Sequence, residues 1–175
     1  MQGYLSEAEL TAARNLVPIV CVDVVPWRRR ANGSLQAGLI LRDMPGRAQP
    51  VWCHLGGRVR RGETLRGALV RHVTSTLVDV PLHLPADPQP AGAVQWFSTT
   101  DPVEEGLQHG YDPRQHAVAL VFDLHLDVDP RVVAGGEARD FRWWSPAELP
   151  EQQDTLWPGT RLTVRRALEG RQRNL

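Results

Sequence analysis

The chain has 175 residues with 20 basic and 20 acidic side chains. It is long enough to bury one sizeable core, and it lacks the net charge that would draw it onto nucleic acid or an anionic membrane. Its basic residues are all arginine, so any cationic contact to phosphate comes from a planar donor able to bond in bidentate fashion.

The two cysteines, Cys21 and Cys53, each lie in an apolar run. That excludes a disulfide framework and a zinc pattern, and predicts buried free thiols. The polar, acidic start is no secretory signal, and no apolar run approaches the roughly 18 residues of a membrane span. One cytoplasmic domain is expected.

Ser6, with Glu9 three residues later, predicts a short helix opened by a capping box. The β-branched run IVCVDVV (19–25) predicts a buried strand. Asn32-Gly33 supplies a hairpin turn into LQAGLILR (35–42), with Arg28–Arg30 expected in a solvated loop. VWCH (51–54) predicts a short strand running into Gly56-Gly57. Leu65, Ala68, Leu69, Val73 and Leu77 have helical spacing. A connection with four prolines (80–93), a strand at VQWFSTT and a long polar loop (101–115) follow. HAVALVFDLHLDV predicts a long strand with Val118, Leu120, Phe122, Leu124 and Leu126 on one face. ARDFRWWS predicts another. Ser145 and Pro146 open a further helix, and an amphipathic helix at 159–170 closes the chain. This order predicts an α/β (α+β) fold, in which a mixed β-sheet is sandwiched between the helices near 65–77 and 160–169.

Residues 56–79 resemble a Nudix box, whose pattern is G, five residues, E, seven residues, then R-E-U-x-E-E-x-G-U, with U a bulky apolar residue. Gly57, Glu63, Arg71 and Val73 stand on their places. His72, Ser75 and Thr76 stand where the family has three glutamates, Val78 where it has glycine, and Asp79 where it has an apolar residue. Within the Nudix hydrolase superfamily, GGRVRRGETL is similar to the box opening of the GDP-mannose mannosyl hydrolases. VCVDVV, HAVALVFDL and ARDFRW are similar to three further segments of theirs. The resemblance covers about residues 17–168 and implies the Nudix fold.

It also implies hydrolysis of a nucleoside diphosphate linked to another group, and Mg²⁺. Glutamates at i, i+3 and i+4 share one helix face and offer the oxygen ligands that Mg²⁺ prefers. Hydroxyls and an imidazole are poor substitutes, so the degenerate box disfavours Mg²⁺. Any remaining ion would use the Gly56 carbonyl, Glu63 and Glu137. Arg42, Gly57 and Arg58 are the expected diphosphate contacts. Asp23 would orient the leaving or sugar portion, and a carboxylate in a buried strand needs a partner. Glu63 and Arg71 are catalytic candidates that can equally pair to hold the box in shape. The resemblance places the family's general base on Ala138, which cannot serve. His116, or a carboxylate of the Glu104–Glu105 loop, is left for that role. One of Trp143 and Trp144 could stack on a base.

The expected partner is a small diphosphate-containing molecule rather than nucleic acid or membrane, and a homodimer is allowed. Two other readings stand beside the hydrolase. One is a Nudix-fold sensor that binds a nucleotide without turnover. The other is an enzyme recruited to a non-nucleotide substrate.

Overall fold

A computed structural model describes residues 4–150 and 155–172. The capping box forms as its residues dictate. The Ser6 hydroxyl accepts from the Glu9 amide, the Glu9 carboxylate accepts from the Ser6 amide, and helix α1 (Glu7–Leu16) begins there. Strands β1 (Ile19–Arg29) and β2 (Leu35–Arg42) form the first hairpin. Strand β3 (Val51–Cys53) pairs with β2, and β4 (Leu55–Arg58) pairs with β1. Helix α2 (Leu65–Thr76) follows, then β5 (Leu77–Val78), β6 (Gly92–Phe97), β7 (Gly110–Tyr111), β8 (Ala117–His125), β9 (Arg131–Val132) and β10 (Ala138–Trp144). Helix α3 (Thr160–Gln172) is last.

The main sheet runs β10-β2-β1-β8-β6-β7, with β3 and β4 joined to β2 and β1. It is mixed, since β1 and β8 are parallel while β1 and β2 are antiparallel. The two long helices cover opposite faces, as register shows. Gly57 is paired with Val22, and a Cβ on Gly57 would stand 2.7 Å from the ring of His72 in α2. Gly92 is paired with Val121, which is in turn level with Asp23, and it faces Arg166 of α3. Val22 and Asp23 are neighbours on β1, so they point to opposite sides. The expected sheet between two helices is present.

Two local expectations are corrected. Arg28 is not in a solvated loop. Strand β1 extends through it, it pairs with Asp129, and its guanidinium lies 4.5 Å from the Trp143 ring centre. Ser145-Pro146 opens a single 3-10 turn (Pro146–Glu148) without a side-chain cap. On β8 the residues buried in the first half are Ala117, Ala119 and Val121, whereas Val118 and Leu120 are half-buried. The alanine face is the one that lies under α3. Its small side chains leave room above the sheet.

Leu69 is the largest fully buried side chain of α2 and packs within the main core. Leu69→Ala should lower unfolding stability by about 2–5 kcal/mol, read as a lower urea midpoint with an unchanged slope.

Candidate functional site

Small residues on adjacent strands open a cavity of about 270 Å³ beside the Gly56-Gly57 strand. Cys21 and Asp23 share one face of β1. Arg58 is paired with Cys21 across β4, and Gly56 with Asp23. Gly56 takes φ 147°, and a Cβ there would stand 2.2 Å from the Val22 carbonyl oxygen. Any larger residue would push β4 off β1 and close the cavity. Trp96, Trp157, Met44 and Leu10 supply apolar walls. Arg14, Arg42, Arg58 and Arg114 bring positive charge, set against Asp23, Asp112 and Glu137. The thiols of Cys21 and Cys53 line it too, and burial pushes each up to about 12, which keeps them protonated.

Six of the expected residues therefore meet here: Asp23, Arg42, Gly56, Gly57, Arg58 and Glu137. Glu63 and Arg71 stand behind them. Arg71 Nε and Nη2 donate to the two Glu63 carboxylate oxygens at 2.7 Å each, and the Arg60 amide donates to one of them. Arg71 Nη2 also donates to the Arg58 carbonyl at 3.0 Å. The pair ties α2 to the end of β4 and leaves neither residue facing the cavity. Side-chain hydrogen bonds from Arg71 hold the Glu63 carboxyl down at about 2. His72 lies between the two elements, with Nε2 3.2 Å from the Arg58 carbonyl and 3.2 Å from Arg71 Nη1. Burial lowers its pKa, so a neutral ring is favoured there.

The helix face on which the resemblance expects metal ligands carries His72, Ser75 and Thr76. Thr76 is fully buried and donates to Glu137 Oε1 at 3.1 Å, while Arg42 Nη1 lies 3.0 Å from Glu137 Oε2. The Ser75 hydroxyl donates back to the His72 carbonyl. Asp79, the one non-glycine among the described residues with positive φ (60°), is exposed and paired with Arg131. A Mg²⁺ ion wants several free anionic oxygens at octahedral positions. Here Glu63 is bound by a guanidinium on both oxygens and Glu137 by a guanidinium and a hydroxyl. Among the described residues, no group of three or more His, Cys, Asp or Glu side chains is placed to hold an ion. The donor set does not fit a carboxylate-held Mg²⁺ cluster; of the expected Gly56, Glu63 and Glu137 ligands, Gly56 and Glu137 line the cavity and Glu63 does not.

Several other expectations fall outside the cavity. His116 stacks on Phe97 with ring centres 4.5 Å apart and does not line the site. Glu104 and Glu105 are exposed. Trp143 and Trp144 are occupied by Arg28, Trp52 and Arg142. Residues not singled out in the sequence take their places. The long polar loop bends back through Asp112, which accepts from the Arg114 backbone and guanidinium and from Gln115. Burial pushes the Asp112 carboxyl up, but the Arg114 bonds outweigh this and hold it below its ordinary value. Arg14 of α1 donates to Gln115 at 3.0 Å. His54, between β3 and β4, places Nε2 3.1 Å from Asp23 Oδ2. The available signal was polar residues flanking a strand whose inner face is alanine.

Two outcomes follow from this chemistry. Glu63 sits below its ordinary value of 4.5 at about 2. Its contribution should be complete above pH 4.5 and should drain away as pH falls from there to 2. Glu63→Gln should cost roughly 1.5–3 kcal/mol at neutral pH. Denaturation across that acid window should show the difference from wild type shrinking. For metal, millimolar Mg²⁺ should add less than ~0.4 kcal/mol of stability, the gain when free ion equals its dissociation constant. Thermal melts with and without Mg²⁺ measure it, and a rise of several degrees would contradict the donor-set argument.

The whole chain up to residue 172 matches a domain of unknown function, DUF4916. No curated protein matches it in sequence. Among solved structures, one described as a possible asymmetric diadenosine tetraphosphate (Ap4A) hydrolase from Jonesia denitrificans is 31% identical. That match covers 90% of this chain and 97% of the other, at a TM-score of 0.72. The Nudix domain of NrtR from Shewanella oneidensis, crystallised with ADP ribose, is 18% identical over 98% of this chain and 100% of its own, at a TM-score of 0.62. A MutT Nudix hydrolase from Burkholderia pseudomallei is 21% identical over 86% and 98%, at 0.58. The chain belongs to the DUF4916 family, and it is built on the Nudix fold.

Proposed function

We propose that the cavity binds a nucleoside diphosphate linked to a second group, such as a sugar, and hydrolyses it without a carboxylate-held Mg²⁺ cluster. The observation that carries this reading is the state of two arginines beside Gly56-Gly57. Arg58 Nη1 and Arg42 Nε are buried and have no hydrogen-bond partner. A buried donor left unpaired costs about 1–3 kcal/mol, and diphosphate oxygens are suited to meeting both. Trp96 and Trp157 add apolar wall to the same cavity. The similarity to a described Ap4A hydrolase supports hydrolysis, and the ADP-ribose complex of the NrtR Nudix domain supports this ligand class.

Binding without turnover is the second reading. The replacement of three box glutamates by His72, Ser75 and Thr76 favours it. The arginine site is shared by both readings, and turnover separates them.

Arg58 is half-buried rather than exposed, and among the described residues its side chain makes no hydrogen bond or ion pair with the protein. Arg58→Ala should therefore keep the fold. It should weaken binding of ADP, ADP-ribose or GDP-mannose about ten- to hundredfold, corresponding to a lost charge-assisted bond. Arg58→Lys should recover part of this, since lysine keeps charge without the fork geometry. Calorimetric titration measures both, with nucleotide release followed on the same samples. Equal affinity in wild type and Arg58→Ala would place the diphosphate elsewhere. No binding to wild type at millimolar concentration would end the nucleotide reading and favour a non-nucleotide substrate.

A further inference from the structure

The arginines of the cavity arrive from two directions. Residues 51–58 lie between β2 and β1, pairing with β2 through β3 and with β1 through β4, and β8 lies on the far side of β1. Arg42, at the end of β2, is therefore three strand spacings from the start of β8, roughly 14 Å between backbones. Arg58 comes from β4, between them. Arg14 and Arg114 come from the β8 side, where residues 112–115 lead into that strand and Arg14 of α1 is bonded to Gln115. The charges felt by the two thiols, beyond burial, follow the same division. They are Asp23, Asp112, Arg114 and Arg14 for Cys21, and Arg42, Glu137 and Asp23 for Cys53.

Leu10 and Arg14 stand at i and i+4 on α1, so they share a face, and both line the cavity. Leu10 is buried and anchors the helix there. Arg14 Nε donates to the Gln115 side-chain oxygen at 3.0 Å, and Gln115 Nε2 donates to Asp112 Oδ2 at 3.1 Å. Asp112 in turn accepts from Arg114 Nε and Nη2 at 2.8 Å each. This chain sets two guanidinium groups against one carboxylate and leaves their tips open. Among the described residues, Arg14 has no carboxylate within ion-pair reach, and its terminal nitrogens are neither bonded nor sealed from solvent. Arg114 Nη1 is likewise unbonded, on an exposed residue.

We propose that Arg14 and Arg114 form the subsite for the second group of the substrate, and that this group carries an anion of its own, a carboxylate or a further phosphate. The inference rests on the diphosphate reading above. A diphosphate at Arg42 and Arg58 has its phosphates joined through one oxygen, so it fills only that side of the cavity. A neutral sugar extending from it would meet Arg14 with hydroxyls alone. An anion meets the open fork of Arg14 with two parallel bonds. Gln115 is the positioning residue: it holds Arg14 by Nε and leaves the two terminal nitrogens to face the guest. The Cys21 thiol, kept protonated by burial, adds no competing charge. Asp112 is already answered by Arg114 and Gln115.

The test measures affinity by calorimetry for matched ligands that differ in the charge of the second group. UDP-glucose against UDP-glucuronate and GDP-mannose against GDP-mannuronate test a carboxylate, and ADP against adenosine tetraphosphate tests further phosphate. In wild type, the more charged member of at least one pair should bind about tenfold or more tightly, and that pair names the anion. Arg14→Gln should weaken this member about ten- to hundredfold, the worth of a charge-assisted bond, and change its partner less than about threefold. Arg14→Lys should recover part of the loss. Arg58→Ala should weaken both members alike. A loss confined to the charged member in Arg58→Ala would put the anion at Arg58 and overturn the subsite. If Arg14 serves only the last turn of α1, Arg14→Gln will lower the melting temperature and leave the preference intact, which overturns the proposal. Equal loss of both members in Arg14→Gln overturns it as well. Equal affinity of wild type for both members of every pair overturns it and leaves the diphosphate reading standing. Absence of binding by every ligand overturns both.

Discussion

The bidentate ion pair between Arg71 and Glu63 is the contact on which the site depends. It spans from α2 to the loop that precedes it, and its Nη2 donates to the Arg58 carbonyl as well as to Glu63. That third bond fixes the backbone at the end of β4. With the carbonyl held toward the helix, the Arg58 side chain is committed to the opposite face, beside Cys21 and the cavity. The Glu63 carboxylate also takes the Arg60 amide, so the loop is pinned at both ends. A pair of this kind, with both partners largely screened from water, keeps more of its Coulomb energy than an exposed one.

What the sequence made legible follows from how local each signal is. The capping box at Ser6 and Glu9, the hairpin at Asn32-Gly33 and the apolar stripe of α2 are written within a few residues, and all three formed. Glu63 and Arg71 were readable because a fixed spacing joins a loop to one helix face. His54, Arg14 and Arg114 carry no such spacing. They become neighbours only when β1, β4 and β8 are laid side by side and α1 folds over the edge. The period-two reading of β8 named its larger residues, whereas Ala117, on the other face, is the β8 residue that lines the cavity. The Ser145 helix failed for a different reason. Without a side-chain bond to the first amides, nothing extended the turn beyond one round.

The charge pattern of the cavity differs from the carboxylate cluster that the box resemblance leads one to expect. Arg42 and Arg114 each face a carboxylate, Glu137 and Asp112, though Arg42 Nε is left without a hydrogen-bond partner. Arg58 has no carboxylate against it, and Arg14 is held by a neutral amide. The cavity thus has cations available for an anionic guest, and its carboxylates are mostly spent inside the wall. Asp23 is the exception, answered only by an imidazole. An arrangement that offers guanidinium groups in place of a divalent cation can still neutralise diphosphate, at the cost of less concentrated charge.

The Thr76–Glu137–Arg42 chain also limits which side chains position 76 can accept. Thr76 has no exposed surface, and its hydroxyl is the donor to Glu137. A glutamate at position 76 would not simply add a ligand. It would force a longer side chain into a filled space, remove that donor and set a second carboxylate against the first, with Arg42 Nη1 already on Glu137. A carboxylate is therefore accommodated at 76 only if positions 42 and 137 change with it, so the three residues behave as one unit of design.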